Sequence, residues 1–158
     1  FFSVAIYPQS IFSLQPFCTR PLLFQACPLR YQKLQDSTME EVFVRHLEIK
    51  FQGGENSRSR RTGESCEKVT KEQAMAEMQT YVEKINAEGC TEEVFAKYAM
   101  ERSDCDSFEK GGDLGNIFDQ DRMPYATAFE DAARATEIGK MSGIFESFNC
   151  YHIIFRTK

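Results

Sequence analysis

The sequence predicts one α+β domain over residues 41–158, a small sheet with helices around it. Three observations carry this. The element order reads β-α-α-α-β-α-β-β. The helices open at recognisable caps. The last strand is almost wholly apolar, which suits a central position in a sheet.

Residues 42–51 form the first strand, because Leu47, Ile49 and Phe51 alternate onto one face. Residues 52–69 mix glycine, serine, threonine and charge, and read as a long exposed loop. Thr70-Lys71-Glu72-Gln73 is a capping box. Behind it Ala74, Met78, Tyr81, Val82 and Ile85 recur at helical spacing, predicting a helix over 70–88 that stops at Gly89. Thr91 caps a second helix through Val94, Phe95, Tyr98 and Ala99, and residues 104–109 make one more short helical turn. Gly111-Gly112-Asp113-Leu114-Gly115 turns into a short strand over 114–118. A helix over 126–136 follows, with a capping box at Thr127-x-x-Glu130 and packing through Phe129, Ala132 and Ala133. Strands over 143–147 and 150–156 close the domain, with Asn149 tolerating positive φ between them.

Residues 1–40 are read as a leader outside the domain, a disordered or non-native extension. The first 38 are rich in Phe, Pro, Gln and Leu, lack glycine and show no steady period, and the first methionine is Met39. An organelle transit peptide is the second reading, resting on arginines with no acid before Asp36.

Composition narrows the function classes. The chain has 158 residues, 27% charged and 42% apolar, enough for one domain with one sizeable core. No run approaches the ~20 apolar residues that span a bilayer, so no membrane role is expected. Residues 39–158 hold 16 Lys or Arg against 23 Asp or Glu, a net of −7, a poor match to nucleic acid. Arg58-Ser59-Arg60-Arg61 is the one basic cluster. Cys18, Cys27, Cys66, Cys90, Cys105 and Cys150 show no C-x-x-C and no paired Cys/His spacing, so no metal site is expected. Reduced thiols point to the cytoplasm or nucleus.

Six blocks fall in register with one family. They are His46-Leu47-x-Ile49-Lys50, Ser103-Asp104-Cys105, Gly111-Gly112-Asp113-Leu114-Gly115, Phe129-Glu130-Asp131-Ala132, Met141-Ser142-Gly143 and His152-Ile153-Ile154-x-Arg156-Thr157. Over 43–158 the chain resembles the parvulin peptidyl-prolyl cis/trans isomerases. Ser59-Arg60-Arg61 and a cysteine at Cys105 resemble the Pin-type branch, which prefers phospho-Ser/Thr-Pro. The chain contains no Trp, and so resembles the single-domain members without a WW domain. The resemblance implies the parvulin (FKBP-like) fold, a four-stranded, mostly antiparallel sheet surrounded by about four helices.

It also implies the site. Leu114, Met123 and Phe129 would line a proline pocket. His46 and His152 would lie together on adjacent strands, bonded to each other or to hydroxyls. Cys105 would face the reacting carbonyl, with Ser147 as the nearby hydroxyl. Lys50, Arg60 and Arg61 would hold the phosphate. Residues 119–128 and Asn149-Cys150 depart from the family pattern, which bears on the positions of Met123 and Ser147. The implied partners are proline-containing, phosphorylated protein clients met by a monomer, with no cofactor.

The chemistry needs little. The X-Pro amide rotates over a barrier of ~18–20 kcal/mol, and a catalyst need only favour the twisted amide over the planar one. A desolvated slot for the ring and a few fixed polar groups suffice. Asp104 and Asp106 flank Cys105 and disfavour its thiolate, so a non-covalent role is preferred to a nucleophilic one. Two other readings stay open: a phosphate-independent isomerase, and a phospho-motif binding module with little turnover.

Overall fold

The computed structural model describes residues 41–158 apart from 55, 120 and 122. The expected leader, 1–40, lies outside the described residues. The elements are β1 (Phe43–Lys50), α1 (Lys71–Ala87), α2 (Glu92–Arg102), a 3₁₀ turn (Asp106–Lys110), β2 (Asp113–Asn116), α3 (Thr127–Ala135), β3 (Phe145–Ser147) and β4 (Cys150–Arg156). The strands form one sheet in the order β2-β1-β4-β3, every neighbouring pair antiparallel. Among the described residues three α-helices and the 3₁₀ turn surround it, and none of these helices is long and apolar enough to cross a membrane.

Strand alternation divides the interior in two. On one face Leu47, Ile49, Phe51, Tyr151, Ile153 and Phe155 pack against the apolar rows of α1 and α2, including Ala74, Met78, Ile85 and Phe95. On the other, Val42, Val44 and Ile154 join Ile117, Phe129 and Ala133 beneath α3. The second cluster is smaller, because the rest of that face is polar.

The expected capping box of α1 forms in both directions. Thr70 Oγ1 accepts from the Gln73 amide at 3.2 Å, and Gln73 Oε1 accepts from the Thr70 amide at 2.9 Å. The box expected at Thr127 does not form. Ala126 is the N-cap, so Thr127 already has helical backbone and no side-chain cap bond is made. The basic loop is more ordered than its composition suggests: the Ser59 amide donates to the Glu64 carbonyl at 2.9 Å, Arg58 and Ser65 form a bridge, and Ser59 and Cys66 are buried.

Between β3 and β4 the chain turns on Phe148 and Asn149, both left-handed at φ 51° and 56°. This is the two-residue hairpin geometry that matches strand twist. Asn149 Nδ2 also donates to the Gly53 carbonyl at 2.6 Å, tying the hairpin to the start of the basic loop.

Candidate active site

The site is the polar half of the second sheet face. In the β1–β4 register His46 stands opposite Ile154, Glu48 opposite His152, and Lys50 opposite Cys150. Alternation therefore gathers His46, Glu48, Lys50, Cys150 and His152 on one side, with the two histidines as diagonal neighbours. Their ring centroids lie 5.9 Å apart and the planes are 13° from parallel. Phe129 meets each imidazole edge-on at 5.7 Å, and Phe145 stacks on His152 at 5.4 Å.

Each imidazole makes its bond through Nε2. His46 Nε2 lies 3.0 Å from Ser107 Oγ. His152 Nε2 lies 3.2 Å from the Ser147 carbonyl oxygen. A carbonyl only accepts, so His152 carries its proton on Nε2 and leaves Nδ1 as a bare acceptor. Both Nδ1 atoms are buried without a hydrogen-bond partner among the described residues. Burial lowers His46 to about 3, with His152 adding to the shift. Burial lowers His152 to about 4, against the pull of the Ser147 carbonyl. Both rings are neutral at pH 7.

Cys105 and Glu48 are shifted as well. Burial pushes the Cys105 thiol up to about 11, and its Sγ–H donates to Asp106 Oδ1 at 3.2 Å. Burial raises Glu48, while Lys50, with its Nζ 3.6 Å from Glu48 Oε1, pulls it back. Lys50 also donates to the Arg58 carbonyl at 3.1 Å. Asp104, 2% exposed, docks the basic loop onto the sheet. Its carboxylate pairs with Arg102 at 2.9 Å and accepts from the Lys50 amide at 3.1 Å, while its carbonyl accepts from the Arg60 amide at 2.9 Å.

These elements enclose a cavity of about 600 Å³, walled by Glu48, Lys50, Arg60, Cys105, Phe148, Cys150 and His152, among others. His46 and His152 come together, bonded to a hydroxyl and a carbonyl rather than to each other. Cys105 shares the cavity with His152. Ser147 contributes its carbonyl rather than the expected hydroxyl. Leu114 and Phe129 belong to one apolar cluster beside the histidines, outside the cavity wall.

Met123 does not join them. It is 88% exposed, and Tyr125, two residues on, stacks on Phe129 at 4.9 Å instead. Of the three expected cations, Lys50 and Arg60 reach the cavity, while Arg61 is half-buried outside its wall, its Nε lacking a hydrogen-bond partner among the described residues.

Sequence reasoning missed Glu48, Ser107, Phe145 and Cys150. Glu48 was within reach of it, because a residue two places from His46 on a strand shares its face. Ser107 carries no signal, since only the fold of the 3₁₀ turn brings it to β1.

Residues 60–158 match the family model described as Rotamase, PPIC-type PPIase domain. The chain is 34% identical over 118 residues to "Peptidyl-prolyl cis-trans isomerase NIMA-interacting 1" of Theileria annulata, covering 75% of this chain and 80% of that one. It is 37% identical over 117 residues to "Putative peptidyl-prolyl cis-trans isomerase dodo" of Drosophila melanogaster, covering 74% and 66%. Among solved structures it is similar to the solution structure of TbPIN1, with a TM-score of 0.63 and 41% identity, covering 75% of this chain and 98% of that chain.

Proposed function

Because the chain belongs to the PPIC-type peptidyl-prolyl cis/trans isomerases and is of the Pin type, we propose that it turns phosphoSer/Thr-Pro bonds by non-covalent stabilisation of the twisted amide. The observation that carries the reading is one cavity in which Arg60 and Lys50 stand with Cys105 and His152. A phosphoserine brings about −1.5 to −2 charges at neutral pH. Charge-assisted hydrogen bonds to it are worth roughly 1.5–3 kcal/mol each. Arg60 is exposed at the mouth, and its backbone is held by Asp104. The neutral imidazoles and the protonated thiol supply fixed dipoles beside the amide, and rotation consumes no proton.

A second reading is favoured by Glu48. Its carboxylate answers the Lys50 ammonium and takes one cation away from an incoming phosphate. On that reading the enzyme is a phosphate-independent isomerase. Exchange NMR on matched Ser-Pro, Glu-Pro and phosphoSer-Pro peptides separates the two. Faster exchange confined to the phosphorylated and acidic peptides supports the first. Equal exchange on all three supports the second and overturns the first.

A further inference from the structure

We propose that His46, Glu48 and His152 form a binding site for a divalent transition cation of the zinc class. One ligand atom from each of the three lies within 4.8 Å of the others. The two Nδ1 atoms are the independent sign of a ligand. Among the described residues both are unpartnered, in residues 4% and 5% exposed, and an unpaired imidazole nitrogen in such a place is costly unless something occupies it.

The supporting shell is in place. A metal-binding imidazole usually donates its second ring N–H to a carbonyl, carboxylate or water, which fixes the tautomer. Here the Ser147 carbonyl holds His152 Nε2, and the Ser107 hydroxyl faces His46 Nε2. Two imidazoles and one carboxylate suit zinc and its neighbours, whereas calcium and magnesium take oxygen ligands.

Adjustment is needed. Tetrahedral zinc sits 2.0–2.1 Å from nitrogen, which places ligand atoms about 3.3 Å apart. The side chains therefore draw in by as much as about 1.5 Å on the same geometry. An imidazole binds in its own plane, so one of the two near-parallel rings must turn, and the χ2 torsion of histidine is broad. The ion also replaces Lys50 as the counter-charge of Glu48.

Because the ion would free Lys50 from Glu48, the test reads metal binding directly and does not measure turnover or phosphate preference. The full chain, stripped with a chelator, is titrated with zinc chloride at pH 7.5 and followed by equilibrium dialysis and imidazole NMR. The chain has two histidines, so each ring signal is assignable. One ion per chain, with both ring signals shifted, is the expected result. Glu48→Gln should weaken binding by at least roughly tenfold, since losing even an outer-shell partner of a ligand costs about ten- to hundredfold. Zinc that leaves both imidazoles unmoved sits elsewhere on the chain and overturns the proposal, as does a wild-type chain that binds none. Because the decisive signals come from the unmodified protein, a variant that misfolds does not blur the result.

Discussion

Lowering the pH from 7 to 5 should destabilise this domain through its two histidines alone. Their native values, about 3 and about 4, lie below the unfolded value of 6.5. Across that window the unfolded chain binds protons that the folded chain refuses. Stability therefore falls as pH falls through 6.5, and goes on falling until each native ring protonates. A full proton of difference is worth about 1.4 kcal/mol per pH unit. Allowing for partial titration near 6.5, each ring should lose about 2 kcal/mol between pH 7 and 5, and the pair about 4 kcal/mol. That is a large share of the 5–15 kcal/mol typical of a domain. Glu48 works the other way, since its raised carboxyl takes a proton in the folded state first and offsets part of the loss. Urea midpoints at pH 7, 6 and 5 measure the sum, and an NMR titration of the two rings measures the cause. Either native imidazole protonating near 6.5 would refute the reasoning.

Three more outcomes follow from single contacts. In Gly112→Ala the new Cβ meets the His46 carbonyl oxygen at 2.2 Å with φ at +77°, so the loss should exceed ~3 kcal/mol in urea, whereas Gly139→Ala, with open space around it, should lose only about 1 kcal/mol. Cys105 should react with iodoacetamide far more slowly than a free thiol at pH 8, because a thiol titrating at about 11 is almost wholly protonated there, and peptide-mass mapping over time reads this directly. Arg60→Ala combined with Arg61→Ala should erase the preference for phosphoSer-Pro while sparing turnover of Glu-Pro, and if both substrates fall together the arginines hold the loop rather than the phosphate.

Much of this molecule was legible in its residues, and the limits are physical. Helix α1 announces itself because Thr70 and Gln73 satisfy each other's backbone amides. Its row Ala74, Met78, Tyr81 and Ile85 has one period and one destination. The first strand shows its alternation through Leu47, Ile49 and Phe51, and β4 shows only that it is central. Cross-strand register is not written in either strand, so the pairing of Glu48 with His152 and of Lys50 with Cys150 emerges only in the fold. The same blindness explains Met123. On a loop with no period nothing says which of Met123 and Tyr125 turns inward, and it is Tyr125 that covers Phe129. Thr127 misled for a narrower reason, since a helix that starts one residue early turns a cap into a first-turn residue.

The electrostatics of the site argue for the kind of reaction it supports. General acid–base catalysis wants a group titrating near the working pH. Here the two imidazoles lie near 3 and 4 and the thiol near 11. Neither the imidazoles nor the thiol would serve a hydrolase or transferase as proton carrier, whereas rotation about an imide bond asks for none. The rate on a Glu-Pro peptide, which has no phosphate of its own to titrate, should accordingly stay level from about pH 6 to pH 9. A bell-shaped profile centred near neutrality, measured by exchange NMR, would mean that a group of the site moves a proton in the rate-limiting step and would overturn the proton-free reading.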